Sequence, residues 1–128
     1  MNTVDTLLRQ IESGFYDSAF RLMYGSDAVN AQRERYSEAV GKFGELFGAD
    51  REVMLFSAPG RTEIGGNHTD HNHGRVLAAS VNMDVIAVAS PSDNNRIYVQ
   101  SKGFDPDDIL LDDLGVQEDQ KGHSASLI

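Results

Sequence analysis

The period of the apolar residues changes once along this chain, near residue 50, and that change constrains the fold more than any other feature. Before it, Val4, Leu7, Leu8 and Ile11 recur at helical spacing, with Gly14 placed to end the helix. Phe15, Ala19, Leu22 and Met23 then mark a short second helix that stops before Gly25. Ser26 or Asp27 is suited to cap a third, the longest, in which Val29, Tyr36, Ala39, Val40, Phe43, Leu46 and Phe47 recur every three to four residues until Gly48. Gly41 and Gly44 weigh against its later half, since each costs about 1 kcal/mol relative to alanine inside a helix.

From Val53 the pattern is that of strands. Val53 to Phe56 is too short an apolar run for a helix, and Ala58-Pro59-Gly60 after it predicts a strand ending in a turn. A second β-rich stretch covers Val76 to Ala89, broken near Asn82 to Asp84, with Val85, Ile86 and Val88 as its core. Pro91 to Asn95 supplies turn residues and Arg96 to Ser101 alternates, which predicts a hairpin across that turn. Ile109 to Leu111 adds a short strand, Gly115 to Gly122 reads as loop, and Ser124 to Ile128 as the start of a helix that is cut short. The expected class is α+β, with residues 1–50 a helical N-terminal extension and 51–128 a sheet-containing part.

Charge narrows the partners. Twenty acidic against eleven basic residues give a net charge of −9, which repels phosphate backbones and anionic headgroups, so neither nucleic acid nor a membrane surface is the expected partner. Asp105, Asp107, Asp108, Asp112, Asp113, Glu118 and Asp119 carry much of that charge late in the chain, where a solvated loop is the expected setting. The chain has no cysteine, and its first residues are acidic with no long apolar run, so a cytoplasmic setting is expected.

The chemistry concentrates in Ala58 to Gly74, APGRTEIGGNHTDHNHG. These 17 residues hold an arginine, two carboxylates, three histidines, two asparagines and four glycines. Gly60, Gly65, Gly66 and Gly74 permit tight turns and close approach of backbone to a small polar ligand. Asp70, Asn67 and Asn72 offer paired hydrogen bonds to sugar hydroxyls, His68 donates or accepts, and Arg61 neutralises an anion. The competing reading is that these groups satisfy one another, with Asp70 and Asn72 in local turn bonds and Arg61 paired with Glu63.

Two phosphate loops fail on pattern. Gly-x-x-x-x-Gly-Lys-Ser/Thr is absent, no lysine occurs between Lys42 and Lys102, and no Gly-x-Gly-x-x-Gly opens a helix. His68, Asp70, His71 and His73 are ligand types for zinc or iron, but in a glycine-rich loop nothing aims the imidazoles at one point, so no metal site is expected.

Gly60 to Gly74 resembles, position by position, the signature Gly-Arg-Val-Asn-Leu-Ile-Gly-Glu-His-Thr-Asp-Tyr-Asn-Gly-Gly of the galactokinase branch of the GHMP kinase superfamily. Gly60, Arg61, Gly66, His68, Thr69, Asp70, Asn72 and Gly74 match it. The resemblance implies a helical N-terminal extension followed by part of the mixed β-sheet lobe of a GHMP kinase (ribosomal protein S5 domain 2-like), with the remainder of that lobe and a C-terminal lobe lying outside this chain. It implies transfer of the γ-phosphoryl of ATP, with Mg2+, to the C1 hydroxyl of galactose.

By the same resemblance Arg61 stabilises charge at the transferred phosphoryl group, while His68 and Asp70 line the hexose pocket and Asn67 faces the O6 side of the sugar. Three departures from the signature matter: Glu63 stands for its asparagine, Asn67 for its glutamate and His71 for its tyrosine. Asn67 would not repel a C6 carboxylate, which brings in a uronic-acid kinase as an alternative. A sugar-sensing homologue without turnover is another. The family's Pro-x-x-x-Gly-Leu-x-Ser-Ser phosphate loop has no match here, so ATP and Mg2+ ligands are expected mostly beyond this chain, which alone is expected to be inactive.

Overall fold

A computed structural model describes residues 2–66, 69–112, 115 and 118–127, with the side chains of Asp70 and Asp119 outside the description. The chain divides into two compact units, Met1–Ser90 and Pro91–Ile128.

In the first unit a two-residue strand β1 (Asn2–Thr3) leads into α1 (Val4–Glu12), whose first turn is capped by the Thr3 hydroxyl accepting from the Thr6 N–H at 3.4 Å. Helix α2 (Asp17–Tyr24) ends at Gly25. The predicted cap at Ser26 or Asp27 does not form: both lie in a 3-10 turn, Ser26–Ala28, and α3 (Val29–Phe47) begins from Ala28 without a side-chain cap. The 3-10 turn runs directly into the helix, so no residue there has the extended backbone a cap requires. Helix α3 continues through Gly41 and Gly44 to Phe47, and at Gly44 the Val4 side chain packs 3.0 Å from where a Cβ would lie. A glycine is tolerated there because α1 crosses close.

Strand β2 (Glu52–Gly65) is far longer than the predicted one and does not turn at Pro59-Gly60. Its Glu52 and Val53 pair with β1, and from Met54 to Gly65 it pairs antiparallel with β3 (Leu77–Ala89). Beyond Val53 it is therefore an edge strand on one side, which is where a proline without an N–H is tolerated.

Val53 and, partly, Leu55, Ile86 and Val88 face the helices, completing a core of Val4, Leu7, Ile11, Phe20, Val29, Tyr36 and Val40. Alternation sends Met54, Phe56 and Val85 to the opposite face, where they are 41%, 51% and 73% exposed. An apolar sheet face of this kind is expected to drive association. The chain should sediment as more than a monomer at tens of micromolar and brighten a dye for apolar surface; a dark, monomeric sample would show the face to be covered.

The second unit holds β4 (Arg96–Val99) paired antiparallel with β5 (Asp107–Leu110). The predicted hairpin across Pro91–Asn95 is thus replaced: β3 pairs with β2, and β4 with β5. Across this pair the Arg96 guanidinium forms a fork on the Asp108 carboxylate at 2.8 and 3.0 Å. Part of the expected acidic loop is therefore strand, and Asp112 accepts from the Asn95 side-chain amide at 2.5 Å. Glu118–Gln120 and Ser124–Leu127 form 3-10 turns. All pairings among the described residues are antiparallel, and the class is α+β.

Candidate functional site

Two irregularities bracket the conspicuous segment. Between the pairs Pro59–Asp84 and Arg61–Ser80, β3 places Val81, Asn82 and Met83 opposite the single residue Gly60. Between Glu63–Ala78 and Gly65–Leu77, Ile64 is the extra residue on β2. Bulges of this kind re-aim side chains at the end of a regular ladder. The first coincides with the predicted break near Asn82 to Asp84, which interrupts the register and not the strand. Gly60 suits the crowding there, since a Cβ would lie 3.1 Å from the Met83 carbonyl oxygen and 3.2 Å from the Val81 side chain.

Arg61 lies between the two irregularities, exposed on β2. Asp70 begins a 3-10 turn, Asp70–Asn72, in the connection to β3. Asn67 and His68, with the Asp70 side chain, lie outside the described residues, so of the predicted site residues only Arg61 is placed with its side chain.

What the loop does show is a staple centred on Thr69. Its N–H and its hydroxyl both donate to the Gly66 carbonyl, at 3.2 and 2.7 Å, and its own carbonyl accepts from the N–H groups of Asn72 and Gly74 at 3.0 and 2.7 Å. Gly74 sits so close that a Cβ would lie 2.1 Å from the Thr69 hydroxyl oxygen. His73, at φ 60°, takes the left-handed conformation that brings the chain around. Backbone bonds of this sort hold a short polar loop in one shape before a ligand arrives, which lowers the ordering cost of binding. Thr69 was matched in the signature, but its structural role was not anticipated.

At the inner edge of the break lies a polar cluster that sequence reasoning missed. The Asp84 carboxylate, 3% exposed, accepts from the Tyr24 hydroxyl at 2.5 Å, from Arg35 Nη1 at 2.7 Å and from the Ser57 hydroxyl, and Arg35 Nη2 donates to the Asp84 carbonyl at 2.8 Å. The Tyr36 hydroxyl lies 2.8 Å from that of Tyr24. Burial pushes the Asp84 carboxyl up, but the hydrogen bonds from Ser57, Tyr24 and Arg35, with the Arg35 charge, outweigh it and hold the group below the usual carboxylate range. Burial also pushes the Tyr36 hydroxyl well above its usual value, helped by its bond to Tyr24. One signal was available: Asp84 is the lone charged residue of β3. An open depression of about 380 Å³ adjoins the cluster, lined by Tyr24, Ser57, Pro59, Ser80, Asn82 and Asp84 among others.

Among the described residues no three His, Cys, Asp or Glu side chains come together to hold a metal ion. Of the four residues considered for one, His68 and the Asp70 side chain lie outside that set. No helix among the described residues is long and apolar enough to cross a membrane.

Comparison with known proteins bears on this same segment. Residues 41–91 match the family model described as the galactokinase galactose-binding signature. The chain is 33% identical over 81 residues to a galactokinase of Lactococcus lactis subsp. cremoris, covering 63% of this chain and 20% of that protein. It is 43% identical over 74 residues to the galactokinase of Homo sapiens, covering 56% and 19%. For the galactokinase of Candida maltosa the identity is 32% over 99 residues, covering 75% and 45%. The chain thus spans about a fifth of the length of the first two relatives. No solved structure matches it. The resemblance read from Gly60 to Gly74 is borne out, and it covers the helix end, the long hairpin and the stapled loop.

Proposed function

We propose that this chain, which carries a galactokinase galactose-binding signature over residues 41–91, is the sugar-recognition part of a kinase that phosphorylates galactose at C1. The observation that carries the reading is the turn stapled by Thr69, which follows the stretch of ladder that bears Arg61 between its two register breaks. In this reading Asn67, His68 and Asp70 hydrogen-bond the hexose hydroxyls, and Arg61 stabilises negative charge developing on the phosphoryl group. The backbone bonds made by Thr69 restrict the turn from Thr69 to Gly74, which lowers the cost of ordering it when sugar binds. ATP supplies the phosphoryl group. The described residues offer no cluster that fits Mg2+, and the reading assigns nucleotide and metal to residues outside this chain. The cytoplasm, where ATP is available, is the proposed setting.

The test is to express the reading frame onward past Ile128 to its own stop codon and to measure galactose 1-phosphate formed from galactose and ATP. Product is expected, and Arg61→Lys, which keeps the charge but loses the planar fork, is expected to lower kcat at least tenfold with a smaller change in KM. Binding of galactose without product would favour a sugar-sensing protein; neither binding nor product would overturn the proposal.

A further inference from the structure

The long hairpin is tied to the helices at one place more firmly than anywhere else along it. Asp84 is the first residue of β3 back in regular register after the three-residue bulge, and its partner Pro59 directly precedes Gly60 and Arg61. Asp84 is held through its carboxylate by Tyr24 of α2, Arg35 of α3 and Ser57 of β2, and through its backbone carbonyl by the same Arg35. From this anchored pair the path to Arg61 is a single residue, Gly60, which passes so near the Met83 carbonyl that a Cβ would lie 3.1 Å from its oxygen. Only that one residue separates the clamp from the arginine along β2. On the far side, β2 from Pro59 onward is exposed at every position and has no helix beneath it.

We infer that Asp84 is a positioning residue: the clamp it makes with Arg35, Tyr24 and Ser57 fixes the register break, and so the place of Arg61 on the ladder beyond it. The consequence for sugar recognition rests on the function proposed above; the geometric part does not.

The experiment uses the 128-residue chain itself, with amide resonances followed by NMR and D-galactose as the added ligand. Asp84→Asn removes the charge that the three donors converge on, and Arg35→Lys, at a half-exposed site, keeps a cation but loses the second bond to the Asp84 carbonyl. Val40→Ala, in the fully buried helix core, serves as a variant that destabilises without touching the clamp. Both clamp variants are expected to shift the amides of Arg61 and Thr62 and to weaken galactose binding at least tenfold, whereas Val40→Ala changes neither. If the amides of Arg61 and Thr62 move no more in the clamp variants than in Val40→Ala, the positioning role is overturned. If they move as expected while the parent chain binds no galactose, the positioning role stands and the sugar reading for this chain fails.

Discussion

Replacing Asp84 by alanine is expected to destabilise the chain by about 3 kcal/mol, the range seen when one partner of a buried, hydrogen-bonded ion pair is removed. The substitution leaves Arg35 and the hydroxyls of Tyr24 and Ser57 turned toward a site with no acceptor, and it opens a void beside the helix core. For a unit of roughly this size the midpoint of thermal unfolding should fall by roughly 15 °C. The pH dependence follows from the same group. Asp84 has a native pKa below its unfolded value, so its contribution is fully present above about pH 4 and disappears as pH falls through the lowered native value. Circular dichroism melts should show a smaller difference between parent and Asp84→Ala at pH 3 than at pH 7. A loss under about 0.5 kcal/mol at pH 7 would mean that water replaces the carboxylate at no cost, and that the cluster is not a clamp.

The helical half of this fold was legible because its signals are local. Val4, Leu7 and Ile11 repeat on one face, and glycine follows each helix, so α1 and α3 fall where their spacing puts them; α2 forms before Gly25 with a different face inward, Phe20 being buried while Phe15 and Leu22 are exposed. The hairpins were not legible to the same degree, because strand pairing is decided by partners far away in sequence. Pro91 to Asn95 has good turn chemistry, yet β3 finds its partner in β2, over a long apolar ladder from Met54 to Ala58 against Val85 to Ala89 that a four-residue β4 cannot match. Pro59-Gly60 reads as a turn for a related reason: its residue types suit one, and only the edge position of β2 explains why the strand passes through.

The candidate site divides along the same line. The composition of Ala58 to Gly74 is a local signal and pointed to a polar ligand. The Thr69 staple was within reach, since a threonine three residues after a glycine is a common local hydrogen-bonding arrangement. The Asp84 cluster was not, because it assembles from α2, α3, β2 and β3, and no spacing in the chain links Tyr24 to Ser57 or Arg35 to Asp84. What pointed to it was a conflict, a single charge in a strand of uncharged and mostly apolar residues, of the sort that marks a site with a specific partner.

Asn67→Glu is expected to change substrate preference more than any other single substitution in the segment. The galactokinase signature carries glutamate at this position, on the O6 side of the sugar, and this chain carries asparagine. An amide accepts and donates, so it serves a C6 hydroxyl and also tolerates a C6 carboxylate; a glutamate serves the hydroxyl and repels the carboxylate. In a pocket closed to water, two like charges a few ångströms apart are expected to disfavour binding by roughly 2 to 3 kcal/mol, or about a hundredfold. In the full gene product, kcat/KM for galactose should therefore stay within about threefold of the parent, while that for galacturonate falls about a hundredfold. The parent's own ratio then separates the two substrate readings: a galactose kinase shows little galacturonate turnover to lose, and a uronic-acid kinase loses its main activity. If the galacturonate-to-galactose ratio is the same in parent and variant, residue 67 does not face C6, and the alignment of Gly60 to Gly74 with the sugar pocket fails at that position.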